Sequence, residues 1–381
     1  MTVGSLALVV RPFDISVAPF DAFVTRRLEV VRLLRKHYRI AIILLRQPSD
    51  TSCVHPDLAG DVVAELSTPR LDMSRNARLT RALRGLAVAE TPDELMHEVR
   101  RTGAGRAVTF GPWLDQQFQP VFASVPTLHM FEEDLSRMQE NAPQSLQARV
   151  LRTVEARLSA RTVPQPRVVV HIGVGEERSA RSRYPRSGHL WFPYLLPTPE
   201  WHVTEAPPGS EGVLVVGNMS EARNAEGLAE VLSAAGPQGL PPISVISAAG
   251  VHEVLRPHLE EGSLCLLQNV ASPYDAYRRA RVTLIPARRV TGIKTTLMQA
   301  WAAGCPVVCF PSSASSVGPW AADAVQVGHT AMEIVQRLQD LLTDAETATD
   351  LAARGRVVLS KHFDAHRREQ ALLAVVAGLT R

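Results

Sequence analysis

Short apolar runs alternate along this chain with stretches in which apolar residues recur every three or four positions. Positions 6–10 (LALVV) and 40–45 (IAIILL) are continuous apolar runs, the pattern of a strand covered on both faces. Between them, 24–37 has helical spacing through Leu28, Val31, Leu34 and Arg35. Strands are expected again at 62–66, 107–110, 126–130 and 167–172, and a helix at 146–161. The alternation then restarts, with strands at 212–216, 243–247, 264–267, 282–286 and 306–310. Helices are expected at 225–235, 272–280, 294–303, 331–342 and 350–362.

The interruption between the two series holds Pro193, Pro197, Pro199, Pro207 and Pro208. Proline removes backbone donors and favours extended chain, so 196–210 reads as a linker between domains. Strand and helix alternating on both sides of it predict two Rossmann-like, doubly wound α/β domains, at 1–195 and 211–360. Ligands of such domains sit at the carboxyl ends of the strands, and two facing domains would enclose a cleft.

Composition adds bounds. A chain of 381 residues with 45% hydrophobic and 21% charged residues can bury two cores. Net charge +3 is too small for a dedicated nucleic-acid binder. Cys53, Cys265, Cys305 and Cys309 form no C-x-x-C pair and read as small apolar side chains in a reducing compartment. The N-terminal apolar run lacks the flanks of a signal peptide, and no stretch reaches the roughly 20 apolar residues of a membrane span. A cytoplasmic protein is expected. The 12 histidines show no H-x-x-x-H or H-E-x-x-H spacing, and no D-x-D motif appears, so no metal site is expected.

The most informative segment is 285–310, IPARRVTGIKTTLMQAWAAGCPVVCF. A strand ends near Pro286, a loop carries Arg288 and Arg289, Gly292 permits a tight turn, and a helix begins near Lys294. Gly304 closes that helix and Pro306 opens the next strand. A helix start with a glycine before it and cations beside it is an anion site that would accept a diphosphate. Lys294 is one of only three lysines, with Lys36 and Lys361. Thr295 and Gln299 lie four apart on one helix face, while Leu297 and Trp301 share a different face that would enter the core. Gln299 carries both a donor and an acceptor for a ribose hydroxyl.

The stretch Gln299-Ala300-Trp301-Ala302-Ala303-Gly304-Cys305-Pro306-Val307-Val308 resembles the C-terminal signature of family-4-type GT-B glycosyltransferases. GVLVVGNMSEARNAEGL (212–228) is similar to the opening strand and loop of that family's donor domain, and VPTLHMFEED to a strand end where the family often keeps a histidine. The resemblance implies a donor domain at 211–360, an acceptor-side domain at 1–195, and a C-terminal helix at 361–381 crossing back onto the first domain. It also implies transfer of a sugar, with retention, from a nucleoside-diphosphate sugar to a small-molecule, glycan or lipid-linked hydroxyl acceptor, without a cofactor or metal. Lys294 and Arg288 would then neutralise the diphosphate, and His129 would contact sugar or acceptor. Gly217, Asn218, Arg223 and Asn224 would stand near the donor and its phosphates, backbone around Asn269 and Val270 would read the base, and Gly292, Ile293, Thr295 and Gln299 would complete the donor site. The family commonly has two glutamates where Thr291 and Gln299 stand here, and its N-terminal glycine-rich loop is replaced by Asp14, Pro19 and Phe20. Those departures motivate a second expectation, a catalytically silent GT-B-like protein that binds a partner or nucleotide in a biosynthetic complex.

Weaker signals are weighed against plain structure. His171-Ile172-Gly173-Val174-Gly175 has Arg178 where a dinucleotide fingerprint needs glycine, so a simple turn is expected. Glu132, Glu133 and Asp134 read as a helix start before a functional cluster. Arg26, Arg27, Arg32, Arg35 and Lys36, and Arg70, Arg75, Arg78, Arg81 and Arg84, read as solvated faces, with peripheral contact to an anionic membrane surface or a phosphorylated acceptor as the alternative.

Overall fold

The computed structural model describes residues 4–10, 15–16, 22–46, 50–67, 93–110, 121–131, 165–193, 204, 207–247, 250–268, 270, 272–290 and 292–379. The expected helix 146–161, the cluster Glu132–Asp134, the arginines from Arg70 to Arg84, Asp14, Pro19, Phe20, Pro197, Pro199, Asn269 and Thr291 lie outside these residues. The chain divides into two compact units, Met1–Pro193 with His366–Arg381, and Tyr194–Ala365.

In the first unit the strands are β1 (Ser5–Val10), β2 (Arg39–Arg46), β3 (Val62–Ser67), β4 (Ala107–Phe110), β5 (Thr127–Phe131), β6 (Val168–His171) and β7 (Gly188–Trp191). They form one parallel sheet in the order β3-β2-β1-β4-β5-β6-β7. Its helices among the described residues are α1 (Ala22–Arg35), α2 (Pro56–Ala59), α3 (Asp93–Arg101), α4 (Val174–Arg183) and, from the far end of the chain, α12 (Ala365–Ala377). The continuous apolar runs are the central strands: Leu8 pairs with Ile42 and Val108, and all three are buried. A parallel strand covered on both faces has no polar alternation to display, which is why these runs are unbroken. Arg26 on α1 is 1% exposed and donates to the Phe192 carbonyl at 2.8 Å, and Arg368 on α12 lies 4.3 Å over the Trp191 ring. Helices α1 and α12 are thus both tied to the end of β7.

The arginines of α1 do not form an unopposed basic face. Arg26 and Arg27 are buried, Arg32 pairs with Asp57 at 2.8 Å, and Arg35 pairs with Asp61 at 3.1 Å. Membrane contact through this helix therefore has no support in the structure. Among the described residues no helix is long and apolar enough to cross a membrane.

The second unit contains β8 (Glu211–Val216), α5 (Ala222–Gly239), β9 (Ile243–Ile246), α6 (Arg256–Glu260), β10 (Leu264–Leu267), α7 (Pro273–Arg279) and β11 (Ala280–Ile285). It continues with α8 (Thr295–Ala302), β12 (Val307–Cys309), α9 (Pro311–Val317), a 3-10 helix (Pro319–Ala324), β13 (Gln326–Val327), α10 (Ala331–Thr343) and α11 (Ala345–His362). The parallel sheet runs β10-β9-β8-β11-β12-β13. Gly236, at φ 64°, breaks the helical path of α5 one residue after its expected end. Val215, Leu228, Val245, Leu284, Ile334 and Leu338 share one core between this sheet and its flanking helices.

The four cysteines divide by burial. Cys305 and Cys309 are buried, but Cys53 and Cys265 are exposed.

Candidate functional site

The second sheet reverses direction between β8 and β11. β9 and β10 build outward on one side, β12 and β13 on the other. At such a reversal the loops leaving the two strands diverge to opposite faces, and a crevice opens at their carboxyl ends, where ligands of open α/β sheets bind. The loops concerned are 217–221 after β8 and 286–294 after β11.

Loop 217–221 is held by its own polar groups. Gly217 has φ 152°, a conformation that side chains rarely adopt. The Asn218 carboxamide oxygen accepts from Ser220 N at 3.2 Å and from Ser220 Oγ at 2.6 Å. Asn224, 7% exposed on the first turn of α5, donates to the Asn218 carbonyl at 2.9 Å. Met219 N donates to Ser247 Oγ at 3.1 Å, which fastens the loop to the end of β9. Arg223 contributes backbone to the first turn of α5.

Loop 286–294 is reached by α5. A Cβ on Gly227 would stand 2.0 Å from the Pro286 carbonyl oxygen, so only glycine lets the helix pass this close. The Arg288 guanidinium donates to the Glu230 carboxylate and lies 4.3 Å over the Phe310 ring. Gly292, at φ 69°, makes the turn, and Gly292 and Ile293 are covered. Lys294 is half-buried and occupies the N-cap position of α8. A lysine side chain has donors only, so it cannot accept from the first-turn N–H groups as Ser, Thr, Asp or Asn would. Leu297 N already donates to the Lys294 carbonyl at 3.1 Å, which leaves the N–H groups of Thr295 and Thr296 for an acceptor from outside the helix.

Thr295 and Gln299 are half-buried on α8, and Leu297 and Trp301 are fully buried, the separation of faces that the spacing predicts. Trp301 Nε1 donates to the Ala324 carbonyl at 3.1 Å. Burial pushes the Cys305 and Cys309 thiols up to about 12, so neither is a nucleophile at neutral pH.

The structure brings Gly217, Asn218, Asn224, Arg288, Gly292, Ile293, Lys294, Thr295 and Gln299 to the loops and helix starts around one strand reversal. Val270 follows β10, which is two strands away from β8, and stands apart from them in the sheet order. His129 lies in the other unit and is not at a strand's end. It is the third residue of β5, 0% exposed, with Nδ1 2.8 Å from Thr109 Oγ1 and its ring between Phe122 and Tyr184. A contact with sugar or acceptor would need this ring uncovered; in this structure it packs the core. His171 ends β6 and α4 begins at Val174, so the His171–Gly175 segment is a tight strand-to-helix turn. Among the described residues no group of three or more His, Cys, Asp or Glu could hold a metal ion.

Several residues of the site escaped the sequence. Glu230 and Phe310 hold Arg288, and Gly227 admits the loop. Serines 312, 313 and 316 bond into the same loop from α9. Their one sequence signal was the unusual run PSSASSV directly after a buried strand.

Residues 210–344 match the family model described as Glycosyl transferases group 1. The fold of the whole chain is that of GT-B glycosyltransferases. Sucrose-phosphate synthase from Thermosynechococcus elongatus superposes with a TM-score of 0.66 at 14% identity, over 99% of both chains. HepE of Anabaena, solved in complex with UDP, gives 0.66 at 11% identity over 98% of this chain and 100% of that one. WaaG, a glycosyltransferase involved in lipopolysaccharide biosynthesis, gives 0.65 at 11% identity over 99% of this chain and 100% of that one. No curated protein sequence matches the chain.

Proposed function

We propose that this protein transfers a sugar from a nucleoside-diphosphate sugar to a hydroxyl acceptor. The observation that carries the reading is the loop 286–294, which holds Arg288 and ends in Lys294 at the N-cap of α8, beside the strand reversal of the unit whose residues 210–344 match the group 1 family model. As the bond from the sugar's anomeric carbon to the diphosphate breaks, negative charge grows on the leaving oxygens. Lys294, Arg288 and the first-turn N–H groups of α8 supply positive potential there. The acceptor oxygen bonds to the anomeric carbon, and its proton passes to the departing diphosphate, whose oxygen becomes basic as the bond breaks. Retention of configuration rests on the resemblance of the sequence to retaining enzymes.

In this reading Gly217 and Asn218 bring backbone against the donor, with Arg223 and Asn224 near its phosphates, and Thr295 and Gln299 face its phosphate and ribose. Asn269 and Val270 are the proposed base-reading backbone. The acceptor is a small molecule, glycan or lipid-linked hydroxyl. The cations are the protein's own, and the proposal uses no metal ion. The uridine nucleotide bound by HepE makes UDP-sugars the first donors to test.

The deciding experiment mixes the protein with UDP-, GDP-, ADP- and TDP-sugars and a panel of hydroxyl acceptors, with products detected by mass spectrometry. Product that depends on both substrates, and that falls at least tenfold in Lys294→Ala and Arg288→Ala, is the expected result, since each removes a charge-assisted contact. Nucleotide binding without turnover on any acceptor would instead favour the silent, partner-binding protein.

A further inference from the structure

Helix α9 presents two serines four residues apart, Ser312 and Ser316, which therefore share one helix face. Ser312 Oγ donates to the Arg288 carbonyl at 2.8 Å and lies 3.3 Å from the Ala287 carbonyl. Ser316 Oγ accepts from Lys294 N at 3.1 Å and donates to the Ser313 carbonyl at 2.7 Å. Ser313 Oγ adds a bond to the Ala287 carbonyl at 3.3 Å. The two residues whose backbones this helix grips, Arg288 and Lys294, are two of the cations that the loop carries. Between them stands Gly292 at φ 69°, the turn where loop geometry is set. Ser313 and Ser316 are buried, at 0% and 6% exposure, so their hydroxyls are not solvating a surface.

We propose that Ser312 and Ser316 are positioning residues for the diphosphate: they fix the separation of Arg288 and Lys294 so that both cations meet one diphosphate at the start of α8. This rests on the donor-site reading above. Ser316 acts on Lys294 through its backbone N–H, which orients the N-cap residue and with it the first turn. Ser312 holds the Arg288 backbone, while Glu230 and Phe310 hold its side chain. A loop released from α9 keeps both charges but loses their spacing.

The test measures binding of a nucleoside diphosphate and of the matching monophosphate by calorimetry, for UDP, GDP and ADP. It uses wild type, Ser312→Ala, Ser316→Ala, Ser315→Ala, Lys294→Ala and the double variant Lys294→Ala with Ser316→Ala, each checked for unchanged thermal unfolding. Ser315 is exposed and bonds only back to the Ser312 carbonyl, at 3.1 Å, so its variant is the control. The expected result is a fall of about fivefold in diphosphate affinity for Ser312→Ala and for Ser316→Ala, the size of one hydrogen bond. Monophosphate affinity holds, and the effect of Lys294→Ala shrinks when Ser316→Ala is already present. A merely structural role would weaken both nucleotides alike. If Lys294→Ala weakens the diphosphate while the serine variants bind both nucleotides as wild type does, the positioning role is overturned and the donor site stands. If wild type prefers no diphosphate over its monophosphate, the donor-site reading falls and takes this one with it.

Discussion

Trp301 on α8 fills the space in front of Gly355 on α11. A Cβ on residue 355 would stand 2.2 Å from the indole Cδ1, and the indole is itself fixed by its hydrogen bond to the Ala324 carbonyl. The helix that begins at the candidate anion site is therefore seated at its far end by a contact that only glycine allows. Gly355→Ala forces the indole or α11 to move, and overpacking of a fixed aromatic costs about 1–3 kcal/mol or more. Urea unfolding should show the loss, and near-ultraviolet circular dichroism should show a changed tryptophan environment. Wild-type stability in this variant would mean that the two helices slide freely.

Buried thiols pushed up to about 12 carry almost no thiolate at pH 8, and they are also covered. A disulfide-type thiol reagent should label two cysteines of the native protein, Cys53 and Cys265, and all four only after denaturation. Rapid native labelling at Cys305 or Cys309 would contradict the packing of β12 described above.

Lys294 contributes to phosphate binding as a charge, so its effect should be screened by salt. Nucleoside-diphosphate affinity of the wild type should fall as NaCl rises from 50 to 500 mM (a range chosen to shorten the screening length to about a third). The slope should be shallower in Lys294→Ala. Equal slopes would place the phosphates elsewhere.

How much of this was legible before the structure depends on whether the cause lies within a short stretch of chain. Strands such as 40–45 declare themselves, because a strand covered on both faces must be apolar throughout. The strand, glycine turn and helix of 282–303 are likewise local, so the positions of Arg288 and Lys294 were readable. Glu230 was not, since it stands 58 residues before the arginine it pairs with. β7 (Gly188–Trp191) and α9 carry too few apolar residues for a periodicity to show. The surroundings of His129 were equally out of reach: the resemblance of VPTLHMFEED to a family strand end pointed to the residue, while Thr109, whose hydroxyl lies 2.8 Å from its Nδ1, comes from the neighbouring strand 20 residues earlier.

Asn224 braces the loop after β8 from inside the protein, donating to the Asn218 carbonyl at 2.9 Å. Asn224→Ala leaves that carbonyl without its donor, a loss of about 1 kcal/mol. Asn224→Asp should be worse, by about 2 kcal/mol or more at neutral pH, because an ionised carboxylate can only accept and would face a carbonyl oxygen. The order of the urea midpoints, wild type above Ala above Asp, checks the donor role. Asp equal to wild type would show that the side chain makes no such bond.

Glu29 on α1 has one carboxylate oxygen, Oε2, that is covered and without a hydrogen bond. Burial raises its pKa from the ordinary 4.5 to about 7, with Arg26 and Arg32 opposing the rise and Glu369 on α12 adding to it. The folded protein thus holds this proton more tightly than the unfolded chain does. Its contribution to stability is complete below pH 4.5, falls as pH rises from there to about 7, and is lost above that. The gap corresponds to roughly 3 kcal/mol as an upper bound. Glu29→Gln keeps the shape and removes the ionisation, so urea unfolding between pH 5 and 8 should show a flatter profile. The variant should match wild type at the acid end and exceed it by about 1–3 kcal/mol at pH 8, within that bound. A variant whose stability declines with pH as steeply as wild type would place the source of the decline on another group.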